Sequence, residues 1–198
     1  MNQRIAFFDF DGTITTKDTL LEFIKFSRGS LLFYLGFLLT SPWVLAYKVK
    51  LISNQQAKEK VLQFFFSNWS LSRFQESCDQ FGKAVLPGLI RPKALQEIEK
   101  LRERGFAVVI VSASPENWIR TWAEQVQATL IATRLAATEE QVLTGRILGA
   151  NCHGQEKVNR IRQEYDLADF REIYAYGDTS GDRPMLQLGT ASFFKPFR

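Results

Sequence analysis

With 198 residues, 45% of them hydrophobic, the chain can bury one full core with a modest insertion, and its composition excludes intrinsic disorder. Its 25 Lys and Arg against 21 Asp and Glu leave a net charge of +4, and no long basic run or basic-aromatic ladder marks a nucleic-acid-binding surface. Cys78 and Cys152 stand far apart without CxxC spacing, which argues against a disulfide framework or a zinc site. Two reduced thiols, and no basic, apolar, small-residue order of a signal peptide, lead us to expect a cytoplasmic protein.

The chain enters a buried strand at once: five of the six residues from Ile5 to Phe10 are apolar, Asp9 interrupts them, and Asp11 follows in the stretch DFDGT. A carboxylate at the end of a buried strand is costly unless a cation, a donor or chemistry compensates it, so both acids need partners. Thr19 to Ser27 predicts an amphipathic helix with Leu20, Phe23, Ile24 and Phe26 apolar. Gly29 to Tyr47 is then uncharged and rich in Leu, Phe, Tyr and Trp, approaching the length of a membrane span but interrupted by Pro42. It has three readings: a span, a contact with a membrane surface, or a buried helical hairpin. The hairpin is the expectation, because a helical insert of about seventy residues needs a core of its own. Asn54 onward is helical in pattern, and Ser70 is placed to cap a further helix.

Pro87-Gly88 punctuates the return, and RPKALQEIEKLRERG predicts a helix closed by Gly105. FAVVIVSAS reads as a fully buried parallel strand, with Ser114 before Pro115 as the expected cap of the helix PENWIRTWAEQV. TLIATRLAATEEQVLTGRI predicts a strand and then an antiparallel pair turning at Thr138–Gln141 or at Gly145. Glu156–Tyr165 is helical in pattern, EIYAYGDTSGD is a buried strand ending in acids, and ASFFKP predicts a last short strand. Strands alternating with helices predict an α/β fold with a doubly wound, Rossmann-like parallel sheet, whose ligands bind beyond the carboxyl ends of the strands. On this division residues 1–15 and 87–198 form the core, and 16–86 a helical cap inserted after the first strand.

Polar clusters fall at those strand ends: Asp9 and Asp11, Ser112, and Asp178 with Asp182, while Lys157 opens a helix after the loop NCHGQ. Four carboxylates, a lysine and a hydroxyl in one crevice suit phosphoryl transfer assisted by Mg²⁺, which takes hard oxygen ligands and is commonly held by one or two carboxylates together with substrate phosphate. A carboxylate beside the metal can act as nucleophile, and lysine with backbone N–H groups can hold the equatorial oxygens. Local rivals exist: Asp182 could cap the helix opened by Arg183-Pro184, and Ser112 could serve as a turn hydroxyl. His153, the sole histidine, is left outside the site because the aspartate pair makes a further base unnecessary.

In these motifs the chain resembles the haloacid dehalogenase superfamily of aspartyl phosphatases over its whole length. AFFDFDGT resembles the first motif, VVIVSAS the second, GQEKVNRI the lysine motif and YGDTSGD the fourth. The helical insert resembles the small-cap branch, subfamily IB, that includes phosphoserine phosphatase. CHGQEKV resembles the lysine motif of bacterial phosphatidylglycerophosphatases. The resemblance implies Asp9 as the nucleophile that becomes aspartyl-phosphate and Asp11 as general acid and base. It also implies Asp9, Asp178 and the backbone carbonyl of Asp11 as Mg²⁺ ligands with Asp182 in support, Ser112 and Lys157 as the phosphate-binding pair, and Gly12 and Thr13 as the residues shaping the first loop. The implied substrate is a small phosphorylated metabolite. Against phosphoserine, the cap offers Asp18, Lys58 and Lys60 but no arginine in NQQAKEKVLQFF, and DGT stands where many phosphoserine enzymes have DST. An apolar cap suits a lipid phosphate, with membrane-surface contact, as the leading specific alternative. A phospho-accepting switch is the non-enzymatic one. Oligomeric state is open.

Overall fold

The computed structural model describes residues 3–198. Its first strand, β1 (Gln3–Phe8), is the centre of a five-stranded parallel sheet. The chain continues through α1 (Thr19–Lys48), α2 (Asn54–Phe66), α3 (Leu71–Ala84), a single turn α4 (Leu86–Leu89) and α5 (Pro92–Glu103) before β2 (Ala107–Pro115). It proceeds through α6 (Glu116–Gln125), β3 (Thr129–Thr133), the hairpin β4 (Leu135–Ala137) and β5 (Leu143–Ile147), and α7 (Gln155–Glu164). It ends with β6 (Phe170–Gly177), the turn α8 (Arg183–Leu186) and β7 (Ala191–Phe194). The sheet order is β3-β2-β1-β6-β7, so the topology reverses at β1 and its two neighbours are β2 and β6.

Alternation along β1 sends side chains to two cores. Ile5 and Phe7 join Val109, Val111, Ile161 and Met185 on the α7–α8 side. Ala6 and Phe8 join Ile110, Ile98, Trp118 and the buried aromatics of α1–α3 on the other. Both faces of the sheet are covered, as the apolar strands require.

The chain leaves the sheet at Thr15 and returns at Ile90 through paired backbone: the Thr16 amide donates to Leu89 O (2.8 Å) and the Arg91 amide to Ile14 O (2.8 Å). Between them lie α1–α4. Ser53 and Ser70 cap α2 and α3 through the amides of Gln56 and Arg73. The hairpin turns at Thr138–Gln141, and β5 joins the helical layer where the Leu143 amide donates to Trp69 O (2.8 Å).

Two expectations need correction here. Ser114 does not cap α6; it lies buried at the end of β2, where its amide donates to Ser112 Oγ (3.0 Å). The segment 29–47 is not a buried hairpin. Gly29 (φ 78, ψ 161) breaks α1, and everything after it to Lys48 is one helix. Pro42 sits inside that helix; the Leu38 carbonyl, which its missing N–H leaves free, accepts from Ser41 Oγ (2.7 Å) instead. One side packs on α2, with Gly36 and Thr40 buried, and the other side is open.

Candidate active site

Sheet order supplies what strand patterns cannot: the carboxyl ends of β2, β1 and β6 stand side by side, and Ser112, Asp9 and Asp178 with them. β1 delivers Asp9 into a five-residue turn, Phe10–Ile14, anchored by Thr15, whose amide and hydroxyl both donate to Phe10 O. Gly12 there has φ +83, and a Cβ on it would meet Asp178 Oδ2 at 2.5 Å, so both backbone conformation and space require glycine.

Asp9 is 6% exposed and Lys157 1%. The Lys157 ammonium donates to Asp9 Oδ1 at 2.6 Å and to Asp182 Oδ1 at 2.8 Å. Thr13 Oγ1 donates to Asp9 Oδ2 at 2.9 Å and reaches Asp178 Oδ1 at 3.4 Å. Asp182 Oδ2 accepts from the amides of Asp178 (3.2 Å) and Thr179 (2.9 Å) and from the Thr179 hydroxyl (2.8 Å). It therefore ties the last loop to Lys157 rather than capping α8. Arg198 pairs with Asp178 Oδ2.

Burial disfavours the Lys157 cation, but Asp9 and Asp182 outweigh it and hold its pKa above the usual lysine range. Burial pushes the Asp9 carboxyl up to about 7 against the pull of Lys157. Asp178 is also raised, by burial and then by Asp182. Burial works the same way on Asp182, yet Lys157 and the Thr179 donors keep it below its ordinary value.

Carboxylate oxygens of Asp9, Asp178 and Asp182 lie within 4.8 Å of one another, all three residues buried. Three hard-oxygen donors facing one buried lysine carry surplus negative charge, the donor set and the charge that fit Mg²⁺. The Asp11 carboxylate lies outside this cluster: its Oδ1 accepts from the Thr19 amide (2.7 Å) and hydroxyl (2.6 Å) at the start of α1, and Oδ2 faces Ser112 Oγ at 3.5 Å.

A cavity of about 310 Å³ opens over these groups. Asp9, Asp11, Lys157, Thr179 and Asp182 form its floor; Leu20, Leu21, Phe37, Val44, Tyr47 and Val61 line it from α1 and α2. Ser112 is fully buried beneath it, with Ala113 and Ser114 at the wall. His153, which the sequence reading left out, lines the cavity, its ring against Gly181 and its pKa lowered by burial and then by Lys157.

Sequence reasoning named Lys58 only as one of the charged groups the cap offers and left it outside the site, but it enters the cavity from α2. Its ammonium donates to Ala113 O (2.6 Å) and approaches Asn151 Oδ1 (3.5 Å), while Asn151 Nδ2 donates to Asn54 Oδ1 (2.6 Å). Burial lowers its pKa against the pull of Asp11 and Asp18. One signal was available: Lys58 sits at i, i+4 and i+7 with buried Leu62 and Phe65, a cation on an apolar stripe.

Fold and crevice together define an α/β enzyme that works beyond the carboxyl ends of a parallel sheet. More particularly, the model of the haloacid dehalogenase-like hydrolase family matches residues 6–187, and the chain belongs to that family. It is 33% identical to Protein CicA of Caulobacter vibrioides over 96% of this chain and 85% of that protein. It is 29% identical to a probable phosphatase of Mycobacterium tuberculosis over 98% of this chain and 69% of that one. A solved protein of unknown function from Bordetella pertussis Tohama I superposes with a TM-score of 0.84 at 22% identity, covering 97% of this chain and 89% of that one. A phospho-aspartyl intermediate analogue of phosphoserine phosphatase gives 0.69 at 15%, covering 97% and 86%. At such identities the structural likeness establishes the fold.

Proposed function

We propose that the protein is a Mg²⁺-dependent phosphomonoester hydrolase acting through an aspartyl-phosphate on Asp9. The observation that carries this is Asp9 itself: a buried carboxylate at the end of the central strand, held by Thr13 and Lys157 and clustered with Asp178 and Asp182. Asp9 and Asp178, with the Asp11 carbonyl and with Asp182 in support, would hold Mg²⁺, which supplies charge neutralisation between the carboxylates and an anionic phosphate.

An oxygen of Asp9 attacks phosphorus and the ester P–O bond breaks, its alkoxide taking a proton from the Asp11 carboxyl to leave as alcohol. Asp11, now a carboxylate, takes a proton from a water whose oxygen attacks the aspartyl-phosphate. The P–O bond to Asp9 breaks and inorganic phosphate leaves. Thr19 fixes the Asp11 carboxyl from the first turn of α1, so the acid is set by the helical layer as well as by its own loop. Lys157 and Ser112 form the phosphate-binding pair. Residues 16–86 serve as the cap, and Lys58 places a cation from it over the reacting centre.

Two narrower readings of the substrate remain. The apolar lining from α1 and α2 favours a phosphate ester with an apolar portion, the lipid-phosphate reading, over phosphoserine, for whose carboxylate no arginine among the described residues lines the cavity. A phospho-accepting switch would store the phosphoryl group instead of releasing it, and Asp11 beside Asp9 favours release. The test is steady-state phosphate release from soluble metabolite esters and from a phosphomonoester lipid, with and without Mg²⁺. We expect turnover that excess chelator abolishes and Mg²⁺ restores; undiminished hydrolysis in chelator contradicts the proposal.

A further inference from the structure

Among the described residues, ten of the fifteen exposed large hydrophobic side chains lie between Leu31 and Leu51. Leu31 is 85% exposed, Leu38 70% and Leu45 61%. At about 100° per residue, Leu31, Tyr34, Leu35, Leu38 and Leu45 fall within an arc of roughly 100° on one side of the helix, while Gly36 and Thr40 mark the opposite, buried side. That buried side is fixed to α2: a Cβ on Gly36 would run into the Phe65 ring, and Phe37 lies 5.7 Å from Phe65, ring to ring. A helix docked in this way along one side does not cross a bilayer, yet water is a poor solvent for its other side.

Charge identifies what covers that side. Between Glu22 and Glu59 the sequence has no acid, and the apolar run is flanked by Lys25 and Arg28 before it and by Lys48 and Lys50 after it. Lys25, Lys48 and Lys50 are exposed; Arg28 is half-buried, its guanidinium 4.6 Å from the Trp69 ring. Exposed leucines with aromatic Tyr34 among them, bordered at both ends by cations alone, complement acyl chains below and anionic headgroups above. A second copy of the chain would bring the same cations face to face.

We propose that the outer face of α1 after Gly29 docks, lying in the interfacial plane, on an anionic lipid bilayer. It deepens the reading above by setting the cavity, walled by the inner side of the same helix at Phe37 and Val44, beside the headgroup layer.

The test is co-sedimentation of the whole protein with vesicles of phosphatidylcholine alone and of phosphatidylcholine with phosphatidylglycerol, alongside sedimentation velocity without lipid. The wild type is expected to bind the anionic vesicles and to lose affinity as salt rises. Leu31→Gln/Leu38→Gln/Leu45→Gln, all three outside the cavity and exposed, is expected to bind at least about tenfold more weakly while its helical circular dichroism and Tm stay unchanged. Lys48→Gln/Lys50→Gln is expected to lose the preference for anionic vesicles. Equal binding by wild type and triple variant, or a wild-type dimer that the triple variant converts to monomer without any vesicle binding, overturns the proposal. Since sedimentation is read without turnover, a failed phosphatase assay leaves this result standing, and the converse holds too.

Discussion

Lys157 is the residue on which the buried acids depend, since its ammonium serves Asp9 and Asp182 together. Lys157→Met leaves both carboxylates buried without their cation and is expected to cost about 3–5 kcal/mol by denaturant unfolding. A change under about 1 kcal/mol would show that the pair is not formed in solution. Gly12→Ala is expected to lower Mg²⁺-dependent turnover far more than Tm, because the strain falls on the loop after β1 and on the Asp178 carboxylate it packs against rather than on the core. The reverse pattern would place Gly12 in folding, not function. At this scale the sequence was informative where chemistry needs a fixed order along the chain: DFDGT announces Asp9 and Gly12 together. It was silent on Thr19 as a donor to Asp11, because that contact depends on how α1 leaves the sheet, and on Arg198 pairing with Asp178.

Along α1 the adjacent residues Phe37 and Leu38 have opposite environments. Phe37 is half-buried, packed on Phe65 and lining the cavity; Leu38 is largely exposed. Phe37→Ala is expected to destabilise by about 2 kcal/mol and to impair turnover, whereas Leu38→Ser stays within about 0.5 kcal/mol in water. Equal losses would mean that the outer face is packed after all. The sequence reading expected a buried hairpin here because a helical insert needs a core of its own, and a run so uniformly apolar carries no periodicity from which to choose one buried face. The strands were legible for the opposite reason: β1, β2 and β6 are short apolar runs bounded by turn residues, and their parallel pairing follows from the helices between them. Their lateral order was not legible, since no local pattern records which strand lies beside which.

For the molecule as a whole, the acid cluster makes stability depend on pH when metal is withheld. The folded-state pKa of Asp9, about 7, lies above the unfolded value near 4, so between them the folded state holds more protons and its stability falls as pH rises through that window. Asp9→Asn lacks this component. In chelator, Tm of the wild type relative to Asp9→Asn is therefore expected to rise as pH is lowered from about 7 toward 4, and a pH-independent difference would contradict the burial assigned to Asp9. The most direct test of the central claim is the covalent step. Asp11→Asn protein, expected to turn over about 10²–10⁴-fold more slowly, is mixed with Mg²⁺ and a phosphomonoester, quenched in acid and digested for mass spectrometry. The account predicts one added phosphoryl group on the peptide containing Asp9, and none when Asp9→Asn is introduced as well; an Asp9 peptide that stays unmodified while wild-type enzyme under the same conditions releases phosphate would contradict it.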